Sequence, residues 1–229
     1  MTPLEQLRHL GNAQKASEMV SYHKLHRECL GVSNPQIDEL VKKWRAECDV
    51  EARVAMADEL WRTDVFEARI SAAKLLVQAR LRPSDESAWA LISSWVPQFD
   101  GWAIADHAAS AGSKRLVANP SRLDVVEGWT KSEHMWSRRA ALVMTLPWSK
   151  LNHLTPEQNN ARERILGWAS SYVDDQEWFI QKAIAWWLRD LSKHDPSRVT
   201  AFLSEHRDRM KPFAVKIASK YLSQSMSFK

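Results

Sequence analysis

Apolar positions along the chain recur at spacings of three and four. In "VFEARISAAKLLVQARL", Val65, Ile70, Ala73, Leu76 and Val77 fall on one helical stripe, with Arg69 and Lys74 off it. Strand signatures are missing: no alternating Val, Ile or Thr runs are closed by Asn-Gly or Asp-Gly turns. Prolines punctuate instead. "SNPQIDEL", "RPSDESAW", "NPSRLDVV", "TPEQNNAR" and "DPSRVTAF" each set a polar cap beside a proline, which predicts helix starts. The pattern predicts about a dozen helices joined by short loops.

A repeat runs through these helices. "FEARISAAKLL" from Phe66, "WAIADHAAS" from Trp102, "WSRRAALVM" from Trp136, "FIQKAIAWWL" from Phe179 and "FAVKIASKYL" from Phe213 each open on an aromatic and continue into an Ala-rich helix. The openings lie 36, 34, 43 and 34 residues apart. One helix pair of a helical solenoid takes roughly 34 to 47 residues. The expected fold class is therefore all-α: a helical-repeat solenoid of about six antiparallel helix pairs, in one domain over residues 1–229. An irregular all-α bundle is the alternative. In four copies a basic residue follows the aromatic by three positions: Arg69, Arg139, Lys182 and Lys216. If the second helix of each pair lines a concave face, these cations form a basic track suited to a nucleic-acid backbone.

Composition narrows the function. The net charge of +4 leans only weakly toward a polyanion partner. Twelve tryptophans are many for 229 residues. Most indoles pack cores, and some stack on flat ligands such as bases. Cys29 and Cys48 are the only cysteines, so free, partly buried thiols in a reducing compartment are expected. "MTPLEQLRHLGNAQK" has no apolar run and no stretch approaches about 20 apolar residues, so neither a secretory signal nor a membrane span is expected. The expected location is the cytoplasm, at the nucleoid when bound to DNA. Nucleotide-cradling, zinc-protease and nucleophile-elbow motifs are absent, and His153 and His194 have no ligand-like spacing to other histidines, so no cofactor and no metal are expected.

Three segments hold candidate chemistry. In "FDGWAIADHAAS", Trp102 and Asp106 stand one turn apart on one face. A helix-bridging ion pair is the competing reading for Asp106. His107, about 100° further round the helix, is assigned to another face. In "EHMWSRRAALVM", Arg138 and Arg139 must diverge, and Arg139 lies near an apolar seam where it needs an anionic partner, from the protein or from a ligand. In "WFIQKAIAWWLRDLSK", Lys182, Trp186, Arg189 and Lys193 follow a 4-3-4 spacing on one face, while Trp187 points to the core. Cations flanking an indole suit phosphate contact plus stacking, and equally a solvated helix edge.

These segments resemble the bacterial DNA alkylation repair glycosylases built from HEAT-like repeats, of the alkylpurine DNA glycosylase D type. "ELWRTDVFEARISAAKLL" is similar to the family's Leu-Trp, Glu-x-Arg and Leu-Leu helix pair, "GWAIADHAA" to its Trp-x-x-x-Asp helix, and "WSRRAALV" to its Trp-x-x-Arg-Ala-Ala helix. "FIQKAIAWWLRDLSK" is the most specific match, and "ASEMVSYHKLHRECLGVSNPQIDEL" resembles the family's N-terminal segment. The resemblance implies a monofunctional hydrolase that excises N3- or N7-alkylated purines from duplex DNA. It implies that Asp106 is the catalytic aspartate and Arg139 the catalytic-site arginine. Trp102 and Trp186 would contact the lesion nucleotide, Arg189 the backbone, and Tyr22 the DNA near the N-terminus. The expected partner is double-stranded DNA containing alkylated purines, bound by a monomer. The chain departs from the family pattern at Ala103, where a second aspartate is common, after Pro35, where an arginine is often found, and in the loosely fitting "RMKPFAVKIASKYL". The competing function is a non-catalytic repeat protein that binds DNA structures or a protein partner.

Overall fold

The predicted start signals open helices. Thr155 and Gln158 form a reciprocal capping box, and the Asp195 carboxylate accepts from the Arg198 N–H at 3.0 Å. The computed structural model describes residues 1–222, and among these there are fourteen α-helices and no strand. The chain divides into two compact units, Met1–Asn119 and Pro120–Lys229. The first holds α1 (Pro3–His9), α2 (Ala13–His23), α3 (Asn34–Glu47), α4 (Val50–Arg62), α5 (Phe66–Leu75), α6 (Glu86–Trp95) and α7 (Trp102–Ala118). The second holds α8 (Leu123–Thr130), α9 (Met135–Val143), α10 (Leu146–Ser149), α11 (Pro156–Ser171), α12 (Trp178–Leu191), α13 (Pro196–His206) and α14 (Pro212–Ala218). No helix among the described residues is long and apolar enough to cross a membrane.

The five aromatic openings occupy the first two positions of α5, α7, α9, α12 and α14. Within the first unit α5 packs between α3 and α7, backed by α4. Within the second α12 packs between α9 and α14. Polar contacts carry the same period. Arg27–Asp64, Lys74–Asp38, Arg138–Asp175, Arg164–Asp124 and Arg198–Glu163 join residues 35 to 40 apart. A side chain of one repeat therefore meets its counterpart in the next, as stacked helix pairs require.

Helix α5 departs from the one-stripe expectation. Every residue of it except Lys74 is buried, because α3, α4 and α7 surround it. Arg69, expected off the stripe, is 9% exposed. Its guanidinium lies 4.7 Å over the Trp61 ring and pairs with Asp64 at 2.8 Å. Arg139 is likewise buried, over Trp136 and Phe179 at 5.6 and 5.8 Å, and Lys182 sits 4.5 Å over Trp178. The repeated cation is thus a ring-stacking device at three of its four positions. Only Lys182 and Lys216 of the expected basic track are exposed.

Glu67 is fully buried and organises the segment between α2 and α3. Its carboxylate accepts from the backbone N–H groups of Leu30 (2.9 Å), Gly31 (2.7 Å) and Val32 (3.2 Å). Gly31 has φ +76, and a Cβ there would stand 2.1 Å from the Asn12 carbonyl oxygen, so the turn requires glycine. The Cys29 thiol donates to the same carboxylate at 3.3 Å. Burial, reinforced by the Glu67 charge, pushes this thiol up from 9.0 to about 12. Near neutral pH its thiolate population is then ~10³-fold below that of an ordinary thiol. Iodoacetamide should leave Cys29 unmodified in the folded protein and alkylate it after denaturation, as read by peptide mass analysis.

Candidate functional site

In the first unit the site is built on the opening turn of α7. Arg27 pairs with both Asp64 and Asp100, and Arg69 also pairs with Asp64. This network fixes the chain entering α7 at Gly101, so Trp102 begins the helix in a set orientation. Trp102 is half-buried. The Tyr22 ring meets it edge-on at 6.2 Å and 83°, and the His23 ring lies against it at 4.9 Å. His23 also contacts Phe66 at 5.1 Å. Both residues come from the end of α2, where Lys24 takes the left-handed conformation and stops the helix. Tyr22 itself is 72% exposed.

Asp106 is half-buried one turn after Trp102, and the two share a cleft of about 220 Å³. His107 and His23 line the same cleft, and Ile37 and Ile70 give it an apolar wall. Ala103, the departure from the family pattern, is a buried part of the lining. Both imidazoles are held below their ordinary titration range. Burial is the main cause for each, and for His107 the Lys74 ammonium adds to it against the opposing charges of Asp106 and Asp38. The assignment of His107 to a different face is therefore corrected. A cleft this broad takes in more than the 100° that separates neighbours on a helix. His23 carried no spacing signal of its own, since its place depends on α2 folding back onto α7.

In the second unit Arg138 and Arg139 diverge as expected. Arg138 pairs with Asp175 at 3.1 Å and donates to the carbonyls of Ser132 and Glu133. Arg139 turns onto the Trp136 and Phe179 rings. On α12, Lys182 is exposed, Trp186 is half-buried, and Trp187 is buried with its Nε1–H donating to the Thr145 carbonyl at 3.3 Å. Arg189 pairs with its neighbour Asp190 at 3.1 Å. Lys193 lies beyond the end of α12, and its ammonium sits 4.7 Å over the Tyr221 ring. The expected four-residue stripe is thus shorter than its spacing suggests, because the helix stops at Leu191. Among the described residues no group of His, Cys, Asp and Glu is placed to hold a metal ion.

The arrangement offers a carboxylate, an indole face and an exposed phenol beside one cleft, and cations beside aromatic rings in the second unit. A family model described as DNA alkylation repair enzyme matches residues 4–222. The solved structure of a predicted DNA alkylation repair enzyme from Enterococcus faecalis is similar over 93% of this chain and 97% of its own, with 24% identity and a TM-score of 0.76. That of AlkD2 from Streptococcus mutans is similar over 91% and 98%, with 19% identity and a TM-score of 0.61. At these identities the likeness is one of fold. A comparison with curated protein sequences finds no match.

Proposed function

The chain belongs to the DNA alkylation repair enzyme family, and from that premise we propose that it is a glycosylase that releases cationic N3- or N7-alkylated purines from duplex DNA. The observation that carries this reading is the pairing of Trp102 and Asp106 at one cleft beside the exposed Tyr22. A purine alkylated at N3 or N7 is already a cation, so it departs without a general acid. What the enzyme must add is negative charge near the sugar, where positive charge develops as the C1′–N bond breaks, and a water directed at C1′. The Asp106 carboxylate does both. The Trp102 face and the Tyr22 edge hold the cationic nucleotide by stacking and cation–π attraction. In the second unit Arg139 is clamped over the Trp136 and Phe179 rings, and in this reading it, Trp186 and Arg189 meet the DNA from that unit. No lysine nucleophile enters this scheme, so the product is an unbroken duplex with an abasic site, made by a monomer.

The test is direct. Duplex DNA treated with a methylating agent is incubated with the protein, and free 7-methylguanine or 3-methyladenine is measured by chromatography. Release of base supports the reading. Binding without release rejects it in favour of a non-catalytic DNA-binding repeat protein.

Lys182 should act on affinity alone. Its ammonium is exposed and held over Trp178. Lys182→Ala is expected to weaken duplex binding a few-fold and reduce the slope of log affinity against log salt by about 0.9, the value for one phosphate contact. Fluorescence anisotropy across a salt series reads both. An unchanged slope would remove Lys182 from the DNA contacts.

A further inference from the structure

The cleft beside Asp106 contains more than the proposed reaction has used. His107 follows Asp106 on α7, and His23 faces the same space from α2. The His23 Nδ1 is buried with no protein hydrogen-bond partner. Asn34 and Ser110 add polar lining, and Ile37, Phe66 and Ile70 close the rest. The volume of about 220 Å³ holds several waters, whose share of liquid is about 30 Å³ each.

We propose that this cleft is a water chamber serving Asp106, and that His107 is a positioning residue that takes up, through Asp106, the proton released by the attacking water. The inference rests on the glycosylase reading. In the step, the water oxygen bonds to C1′ while the C1′–N bond breaks, and that electron pair neutralises the departing base. One proton of the water passes to the Asp106 carboxylate, then to the neutral imidazole of His107, and then to solvent. Asp106 is thereby returned to its charged form without exchanging protons on the DNA side.

The charged and titratable groups around His107 are Lys74 on α5, Asp38 on α3, Asp106 on α7 and His23 on α2. Lys74 and Asp38 pair with one another at 2.6 Å. His107 must be neutral to accept a proton, and burial and Lys74 keep it so down to a pH below the ordinary value of 6.5. The rate of base release should therefore be level near neutrality and fall as pH drops through the His107 titration.

Single-turnover release from a duplex carrying one 7-methylguanine, followed across acid to neutral pH, tests this. His107→Gln should lower the neutral-pH rate about tenfold, a fraction of the effect of a full general base, and displace the acid limb to lower pH, leaving only the part that the need for a charged Asp106 imposes. Lys74→Gln keeps His107 and removes a cation beside it, so the limb should move to higher pH. The His107 ring is also titrated by NMR, independently of turnover, and Asp106→Asn should lower its pKa by removing the carboxylate that raises it. An acid limb left at its wild-type position in His107→Gln, or an unmoved limb in Lys74→Gln, overturns the relay while leaving the glycosylase reading intact. So does a loss in His107→Gln that is equal at every pH and tracks lost thermal stability. Should the wild-type protein release no base, the glycosylase reading fails, and the relay with it.

Discussion

Asp106→Asn is expected to abolish base release from methylated duplex DNA while leaving DNA binding intact or tighter. The substitution keeps the shape of the side chain and removes its charge. Stabilisation of the developing sugar cation and activation of water are lost together, and a positioned acid–base group alone is worth about 10²–10⁴ in rate. Binding should respond in the opposite direction, because a negative charge beside phosphates is removed. Single-turnover release measured together with anisotropy separates the two effects. A variant that still releases base within a few-fold of wild type would take the chemistry away from Asp106. Parallel loss of binding and release would point to a damaged fold, which the melting temperature reports.

Glu67→Ala should give the largest loss of stability. Three backbone N–H groups at Leu30, Gly31 and Val32 lose their common acceptor in a fully buried place. Each orphaned donor costs about 1–3 kcal/mol, so the first unit should lose roughly 3 kcal/mol or more. At roughly 2–4 °C per kcal/mol, the melting transition should fall by about 6 °C or further. Glu67→Gln retains one acceptor oxygen but aims an amide N–H₂ at the same donors, and should lie between. Calorimetry of the three proteins checks the order. A melting temperature unchanged in Glu67→Ala would mean that the segment between α2 and α3 is held by something other than this carboxylate.

The helices, their starts and the repeat were legible because they depend on local chemistry. Caps beside prolines, an aromatic at each opening and alanine beyond it recur at the right spacing, and the structure places α5, α7, α9, α12 and α14 accordingly. The family was legible for the same reason, as its motifs are short segments of single helices. Burial of the repeated cations was not. Arg69 reads as a surface residue until the ring of Trp61, on the preceding helix, is brought beneath it. The two histidines were also out of reach. Their shared cleft depends on α2 meeting α7, nearly eighty residues along the chain, and no periodic signal encodes that meeting.

The same meeting sets how firmly each part of the cleft is held. Most of the polar contacts within each unit reach only the next repeat, so a helix pair closes a short loop and gains its neighbour at once. Helix α2 is different: it has no fully buried residue, and its aromatic contacts reach from His23 to Phe66 and on to Trp102. Those ring contacts exist only where α5 and α7 are in place. The wall of the cleft that carries His23 therefore sits on a lightly buried helix, where amide exchange is expected to be faster than in α5.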